Sequence, residues 1–313
     1  MKTRKLGASP LDVSVVGLGC NNFGVLDLEA SRRVVDRALA LGITFFDTAD
    51  IYGNRGGSEE QLGEILGARR KSIVLATKFG MAMDDDAGKA RASRRYIMEA
   101  AEASLKRLRT DWIDLYQLHT PDQKTPIEET LGALDELVRA GKVRAIGCSN
   151  MPAAQLNEAR EVSQKNGWAA FVTAQDEYSL LVRGVERELL PTLAAHGMSL
   201  LPYFPLASGL LTGKYQHGRD IPADTRFGRM GRFGERYMTE ENWLIVEKLT
   251  AFCAARGRTL LELAFSWLLA QPRLASVIAG ATRPEQVEQN VNAAGWELTA
   301  EDIAEIDRLT AKA

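Results

Sequence analysis

Four side chains early in the chain could together move a proton: Asp47, Tyr52, Lys78 and His119. A carboxylate, a phenol, an ammonium and an imidazole in one pocket form a proton-transfer set. A free tyrosine titrates near ~10, too high for efficient acid–base work around neutrality. A lysine cation beside it favours the phenolate and is expected to lower that value, while Asp47 would keep the lysine charged and in place. His119 would orient a substrate oxygen or join the relay. Singly, each residue has a plainer reading: Asp47 as a helix cap or ion-pair partner, Lys78 as a solvated cation, His119 as a partner for backbone groups, Tyr52 as loop packing. Their joint placement in the chain separates the set from these readings.

Three of the four end short apolar runs. The runs are SVVGLG, ITFFDTA, SIVLATK, IDLYQLH, VRAIGCSN, FVTAQDEY, SLLPYFPL and SVIAGA. They are apolar throughout rather than alternating, as strands covered on both faces are. Amphipathic stretches separate them. In SEEQLGEIL, Ser58 reads as an N-cap with Gln61 three residues on; in TPIEETLGALDELVRAGK, Thr125 reads as the cap, Pro126 as the first helical residue, Glu128 as the capping-box partner and Gly141 as the stop. Strand–helix alternation repeated in this way predicts an α/β fold, a (β/α)8 TIM barrel, with a doubly wound open sheet as its rival. The segment KTRKLGASPLDVS predicts an N-terminal hairpin turning at Ala8-Ser9-Pro10 under the barrel. TAEDIAEIDRLTAKA predicts an extra C-terminal helix with a Thr299/Asp302 capping box. No linker or short-period repeat interrupts residues 1–313, which read as one domain.

Active sites of such barrels lie where strands end and the following loops begin. The polar or special residues there are Cys20 and Asn21, Asp47 and Tyr52, Lys78, His119, Ser149 and Asn150, Gln175, Tyr203 and Gly280. Adjacent strands are ~4.8 Å apart, so Asp47, Lys78 and His119 on three successive strands fall within ~10 Å of one another. The glycine-rich GNRGG that follows Tyr52 would let the phenol return to them.

The composition narrows the classes of function. The 313 residues are 45% hydrophobic and 26% charged with a net charge of −2, which argues against nucleic-acid binding. No apolar run reaches membrane-spanning length, and MKTRKLGASPLDV has no apolar core of a signal peptide. The sparse cysteines Cys20, Cys148 and Cys253 fit reduced thiols, so a cytoplasmic location and no metal are expected. His196 and His217 lack an acidic or cysteine partner at ligand spacing and are expected at the surface. GLGCNNFG lacks the glycine spacing of a dinucleotide fingerprint, and SGLLTGKY is one residue short of a P-loop.

FDTADIYG, ATKFG, YQLHTPD, IGCSN and YFPLASGLLTGKY, in this order, resemble the aldo-keto reductase family, and the likeness runs from GLGCNNFG to GATRPEQVEQN. The dialect is closer to the bacterial-type and channel β-subunit-like branches. The resemblance implies a (β/α)8 barrel that reduces aldehydes and ketones with NADP(H). It assigns Tyr52 as general acid, with Asp47, Lys78 and His119 completing a tetrad. Ser149, Asn150 and Gln175 would hold the nicotinamide carboxamide, and Tyr203 would stack on the ring. The same resemblance places Cys20, Asn21, Asp47, Phe204, Pro205, Leu206, Ser208, Lys214 and Arg226 along the cofactor. It puts Gly280, Thr282, Gln286, Gln289 and Asn290 at its adenosine end. Many members carry Ser at position 204, Glu at 289, or Pro-Lys-Ser in place of Ala279-Gly280-Ala281, departures that bear on the adenosine phosphate.

The long stretch from Ala207 to Thr239 reads as a functional loop, carrying Lys214, Arg219, Arg226, Arg229, Arg232 and Arg236 against Asp220, Asp224 and Glu235. Two rival functions stand beside carbonyl reduction. One is a Schiff-base lysine at Lys78; the other is a nucleotide-sensing regulatory subunit with little or no catalysis. The expected partners are a small carbonyl substrate and, at most, weak self-association of a monomer, with no nucleic acid and no membrane.

Overall fold

The computed structural model describes residues 1–86, 88–219 and 236–311. Eight parallel strands form a barrel: β3 (Val16–Gly19), β4 (Phe45–Asp47), β5 (Val74–Phe79), β6 (Ile113–Leu118), β7 (Val143–Ser149), β8 (Phe171–Glu177), β9 (Ser199–Tyr203) and β10 (Val277–Gly280). Their neighbours follow chain order, with β10 beside β3. The seam between β9 and β10 is closed by Leu200 N donating to Arg273 O (2.8 Å) and Ala275 N donating to Leu200 O (3.1 Å). All eight strands coincide with the apolar runs, because helices cover the outer face while packed side chains fill the inner one.

The N-terminal hairpin, β1 (Thr3–Lys5) and β2 (Asp12–Ser14), pairs antiparallel as expected. It seals the lower end of the barrel. Leu6 and Val13 join Phe45, Ala76, Leu115, Ala145, Leu201, Ala275 and Ile278 in one buried apolar cluster. The polar strand-end residues gather at the opposite end, where the strands finish.

The helices around the barrel are α1 (Leu28–Ala40), α2 (Tyr52–Leu66), α3 (Arg94–Leu108), α4 (Ile127–Arg139), α5 (Ala153–Asn166), α6 (Leu189–His196), α7 (Glu240–Ala254), α8 (Leu260–Ala270), α9 (Pro284–Ala293) and α10 (Ala300–Thr310). The extra helix α10 starts with the expected Thr299/Asp302 capping box and is tied to α7 through Arg256, which pairs with Asp302 (2.9 Å) and Glu305 (3.0 Å).

Two expected caps are corrected. Ser58 does not cap α2: its hydroxyl donates to Cys20 O (2.8 Å) and lies 2.8 Å from Thr48 Oγ1, tying the helix to two strand ends. Thr125 does not cap α4 either. Its amide and hydroxyl both go to Asp122, Pro126 occupies the cap position, and Glu128 completes no capping box. At Ser58 a distant backbone carbonyl, and at Thr125 the nearby Asp122 carboxylate, outcompetes the expected helix-start pattern. The stretch expected to be a loop from Ala207 instead opens with a 3-10 helix, Ala207–Thr212. Among the described residues, no helix is long and apolar enough to cross a membrane.

Candidate active site

Asp47 is the last residue of β4, Lys78 lies one residue before the end of β5, and His119 follows β6 directly. Parallel pairing brings their ends to one level of the barrel. Lys78 Nζ donates to Asp47 Oδ2 (2.7 Å) and to Thr48 O (2.8 Å), and the lysine has no exposed surface. The other carboxylate oxygen, Asp47 Oδ1, accepts from Gln175 Nε2 (3.0 Å) and Gln117 Nε2 (3.3 Å). A buried ion pair is costly unless its remaining hydrogen-bonding capacity is filled, and here Thr48, Gln175 and Gln117 supply further bonds.

Tyr52 returns to the pair by a left-handed turn. Gly53 (φ 67°), Asn54 (φ 61°), Arg55 (φ 66°) and Gly56 (φ 122°) all take positive φ before α2 becomes regular. Gly53 is required by contact as well as by conformation, since a Cβ there would sit 2.4 Å from Phe23 O. The turn sets Lys78 Nζ 5.1 Å from the Tyr52 ring centroid and the Tyr52 ring edge-on to His119 at 5.8 Å. Six of the eight non-glycine residues with positive φ among the described residues follow the ends of β4, β7 and β9: Asn54, Arg55, Asn150, Phe204, Ala207 and Ser208. Backbone strain of this kind gathers where side chains must be aimed.

The electrostatics correct one expectation. Burial is the largest influence on Lys78 and would depress it, but Asp47 and Tyr52 together outweigh it and the ammonium is held above its ordinary value. That leaves no neutral amine to form a Schiff base. Tyr52 moves up rather than down: burial dominates, and the Lys78 charge offsets it only in part. The phenol therefore stays protonated, which suits an acid. His119 is pushed down to about 3, first by burial and then by the Lys78 charge, so the ring is neutral; its Nδ1 is buried with no partner among the described residues.

That displacement has a consequence for stability. Unfolded His119 takes a proton below the ordinary 6.5, whereas folded His119 resists until about 3. The unfolded state thus binds more protons through this window, and stability falls as pH drops across it, by up to roughly 5 kcal/mol. His119→Gln should narrow the difference in unfolding free energy between pH 7 and pH 4, measured by urea titration. An unchanged difference would contradict the neutral buried ring.

Around this centre lie the other groups singled out from the sequence. Ser149 is buried; Asn150 donates to Ser149 Oγ (3.0 Å) and His119 O (3.1 Å) and accepts from the Tyr203 hydroxyl (2.9 Å). Gln175 spends its amide nitrogen on Asp47. Phe204 stands edge-on to Tyr203 at 5.3 Å, followed by buried Pro205 and half-buried Leu206. Ser208 Oγ is buried with no partner among the described residues, and Lys214 packs beside Gly209 with Nζ 4.9 Å from the Tyr215 ring centroid. Across the mouth, a Cβ on Gly280 would crowd Asn21 Oδ1 at 3.0 Å and Asn22 Nδ2 at 3.2 Å. Gln286 folds back to accept from Thr282 N (2.7 Å); Gln289 is exposed and Asn290 buried on α9.

Cys20 is fully buried, with its thiol on Leu18 O and its own carbonyl taken by Ser58. Arg226, with Arg229, Arg232, Asp220, Asp224 and Glu235, lies outside the described residues. His217 is half-exposed but does have acidic neighbours, Glu240 (3.2 Å) and Glu247 (3.3 Å), and it stacks on Trp243.

Gln117 and Thr48 were missed from the sequence. Gln117 had a signal: it stands two residues before His119 on a strand, hence on the same face, and pairs in register with Lys78.

The model of the Aldo/keto reductase family matches residues 15–311. The chain is 35% identical over 322 residues to L-glyceraldehyde 3-phosphate reductase of Escherichia coli O157:H7, an alignment covering 98% of this chain and 92% of that protein. It is 37% identical to a probable voltage-gated potassium channel subunit beta of Arabidopsis thaliana, over 94% and 91% of the two chains. It is 38% identical to the uncharacterized oxidoreductase YqkF of Bacillus subtilis, over 97% and 94%.

Proposed function

The chain belongs to the aldo/keto reductase family, and from that premise we propose that it reduces aldehyde or ketone carbonyls with NADP(H), using Tyr52 as general acid. One observation carries the reading: a half-buried phenol set between an imidazole and a lysine fixed by Asp47. Tyr52 would deliver its proton to the carbonyl oxygen as negative charge grows there, a role that typically contributes 10²–10⁴ in rate. His119 carries one N–H, enough to orient that oxygen without adding a second positive charge beside Lys78. Gln117 and Gln175 hold Asp47, and through it the lysine, at a constant distance from the phenol.

The residues present fit a nicotinamide dinucleotide. The unpartnered Ser208 hydroxyl and the adjacent Lys214 offer a donor and a cation to a phosphate, and Gly280 leaves a cradle that a side chain would fill. Ser149 and Asn150 would bind the carboxamide, and Tyr203 offers an aromatic face to the ring. When bound, the cofactor supplies the hydride.

Turnover of NADPH with a panel of small aldehydes, ketones, sugars and a phosphorylated aldehyde tests the activity; the last is included because one relative is named L-glyceraldehyde 3-phosphate reductase. The channel-subunit relatives favour a second reading, in which the nucleotide is bound but scarcely turned over. Tight binding with no turnover on the whole panel would select it.

A preference for NADPH over NADH is expected. The 2′-phosphate is a dianion, and Arg283, Lys214 and the arginines of the 207–239 stretch concentrate positive charge in a chain of net charge −2. The difference in affinity should shrink as salt rises, since exposed ion pairs are screened. Fluorescence titration of both nucleotides at low and high salt measures it; equal affinities at low salt would contradict the assignment.

A further inference from the structure

Behind the barrel wall, on the face of β5 away from the Lys78 side chain, lies a buried polar cluster that the proposed chemistry does not use. Asp50 is 1% exposed, and neither of its carboxyl oxygens has a hydrogen-bond partner among the described residues. The Tyr116 hydroxyl, on β6, is equally buried and equally without one. Glu59 on α2 has no exposed surface and is fully engaged: Oε1 accepts from Thr77 Oγ1 (2.5 Å) and Oε2 from Arg107 Nε (2.7 Å). Thr77 and Lys78 are consecutive on β5, so they point to opposite faces.

The groups facing Asp50 are Glu59 from α2, Arg107 and Tyr96 from α3, Lys78 from β5 and Tyr116 from β6. Arg107 is already committed to Glu59, and Lys78 to Asp47 across the wall. Two buried carboxyls therefore share a single guanidinium, and the second cannot ionise cheaply. Of the two, Glu59 holds the ion pair, so the proton resides on Asp50.

Asp50 also sits inside the segment that aims Tyr52. Thr48 N donates to Ala76 O (2.9 Å), Asp50 N donates to Lys78 O (3.0 Å), and Thr48 O receives the Lys78 ammonium. The chain from Asp47 to Tyr52 is thus zipped along β5, with the Asp50 carboxyl packed beneath it. We propose that Asp50 is a positioning residue: as the uncharged acid it lets the Tyr52 turn lie against β5, and on losing its proton it loosens that turn. Burial, then the Glu59 charge, pushes the Asp50 carboxyl up to about 8, against the pull of Arg107 and Lys78. The turn would therefore hold at neutral pH and loosen in mild alkali.

The test uses full-length protein carrying Asp176→Asn, because Asp176 is a half-buried acid, raised to about 7 by desolvation, that would titrate nearby. Infrared titration follows the carbonyl stretch of protonated carboxyls from pH 6 to pH 10. A band lost with a midpoint near 8 is expected, and adding Asp50→Asn should abolish it. Glu59→Gln, which removes the facing negative charge, should lower the midpoint by about one unit; it decides the matter if Asp50→Asn does not fold.

The consequence for the turn is read without any reaction, as trypsin cleavage after Arg55. Cleavage should rise above the same midpoint in the parent, and the rise should vanish in Asp50→Asn and move to lower pH in Glu59→Gln. If the reductase reading holds, kcat/KM falls along the same curve; that activity arm alone rests on the proposed function, so either can fail without the other. No band assignable to Asp50, or cleavage at Arg55 with the same pH dependence in all variants, would overturn the proposal.

Discussion

Tyr52→Phe is expected to cut kcat/KM for carbonyl reduction by at least ~100-fold while leaving nucleotide affinity nearly unchanged. The substitution removes one hydroxyl and keeps the ring, so the edge contact with His119 and the Lys78 ammonium near the ring persist. What disappears is the only proton donor held between them, and the effect should fall on kcat more than on KM. Beyond the decline near pH 8 assigned to Asp50, the parent chain should lose its remaining activity as the phenol ionises. Burial raises that phenol above its ordinary value, so this limb belongs above pH 10. Steady-state rates across pH for both proteins, with nucleotide titrations alongside, measure it. A Tyr52→Phe rate within a few-fold of the parent would remove the phenol from the mechanism.

Lys78→Met should be more damaging to the fold than to nucleotide binding. It keeps bulk but deletes the charge facing Asp47, leaving a nearly buried carboxylate with only two glutamine amides. Breaking a buried pair from one side costs about 3–5 kcal/mol, so a large fall in unfolding free energy is expected. Asp47→Asn combined with Lys78→Met should recover part of it, because no charge is then stranded. The residual activity carries a second signature. Lys78 pulls the Tyr52 value down against burial, so without it the basic limb moves to still higher pH. An unchanged melting curve would contradict the buried pair, and an unchanged limb would contradict the coupling.

Much of this site was legible because the strands announce themselves. Each is a continuous apolar run, and Asp47, Lys78 and His119 stand out as the polar residues that end one. Gln117 was obscured because it interrupts such a run, although its register with Lys78 makes it a ligand of Asp47. The caps at Ser58 and Thr125 follow local grammar that other acceptors override: the distant Cys20 carbonyl for Ser58 and the neighbouring Asp122 carboxylate for Thr125. The direction of the Tyr52 displacement could not be read at all. Sequence places Lys78 beside the phenol but does not reveal that desolvation outweighs it. Asp50 shows the same gap: between Asp47 and Tyr52 it looks like one more loop acid, and only the packing of α2 and α3 makes it a buried one.

The most direct test of the central claim is isotope transfer. The protein is incubated with a reactive aldehyde and NADPH deuterated at one or the other C4 position of the nicotinamide, and the alcohol is analysed by mass spectrometry. With Ser149, Asn150 and Tyr203 holding the ring as proposed, a single face is offered, so the product should carry deuterium from one of the two labelled forms and not from the other. Alcohol that carries deuterium from neither form, or from both alike, would contradict the account.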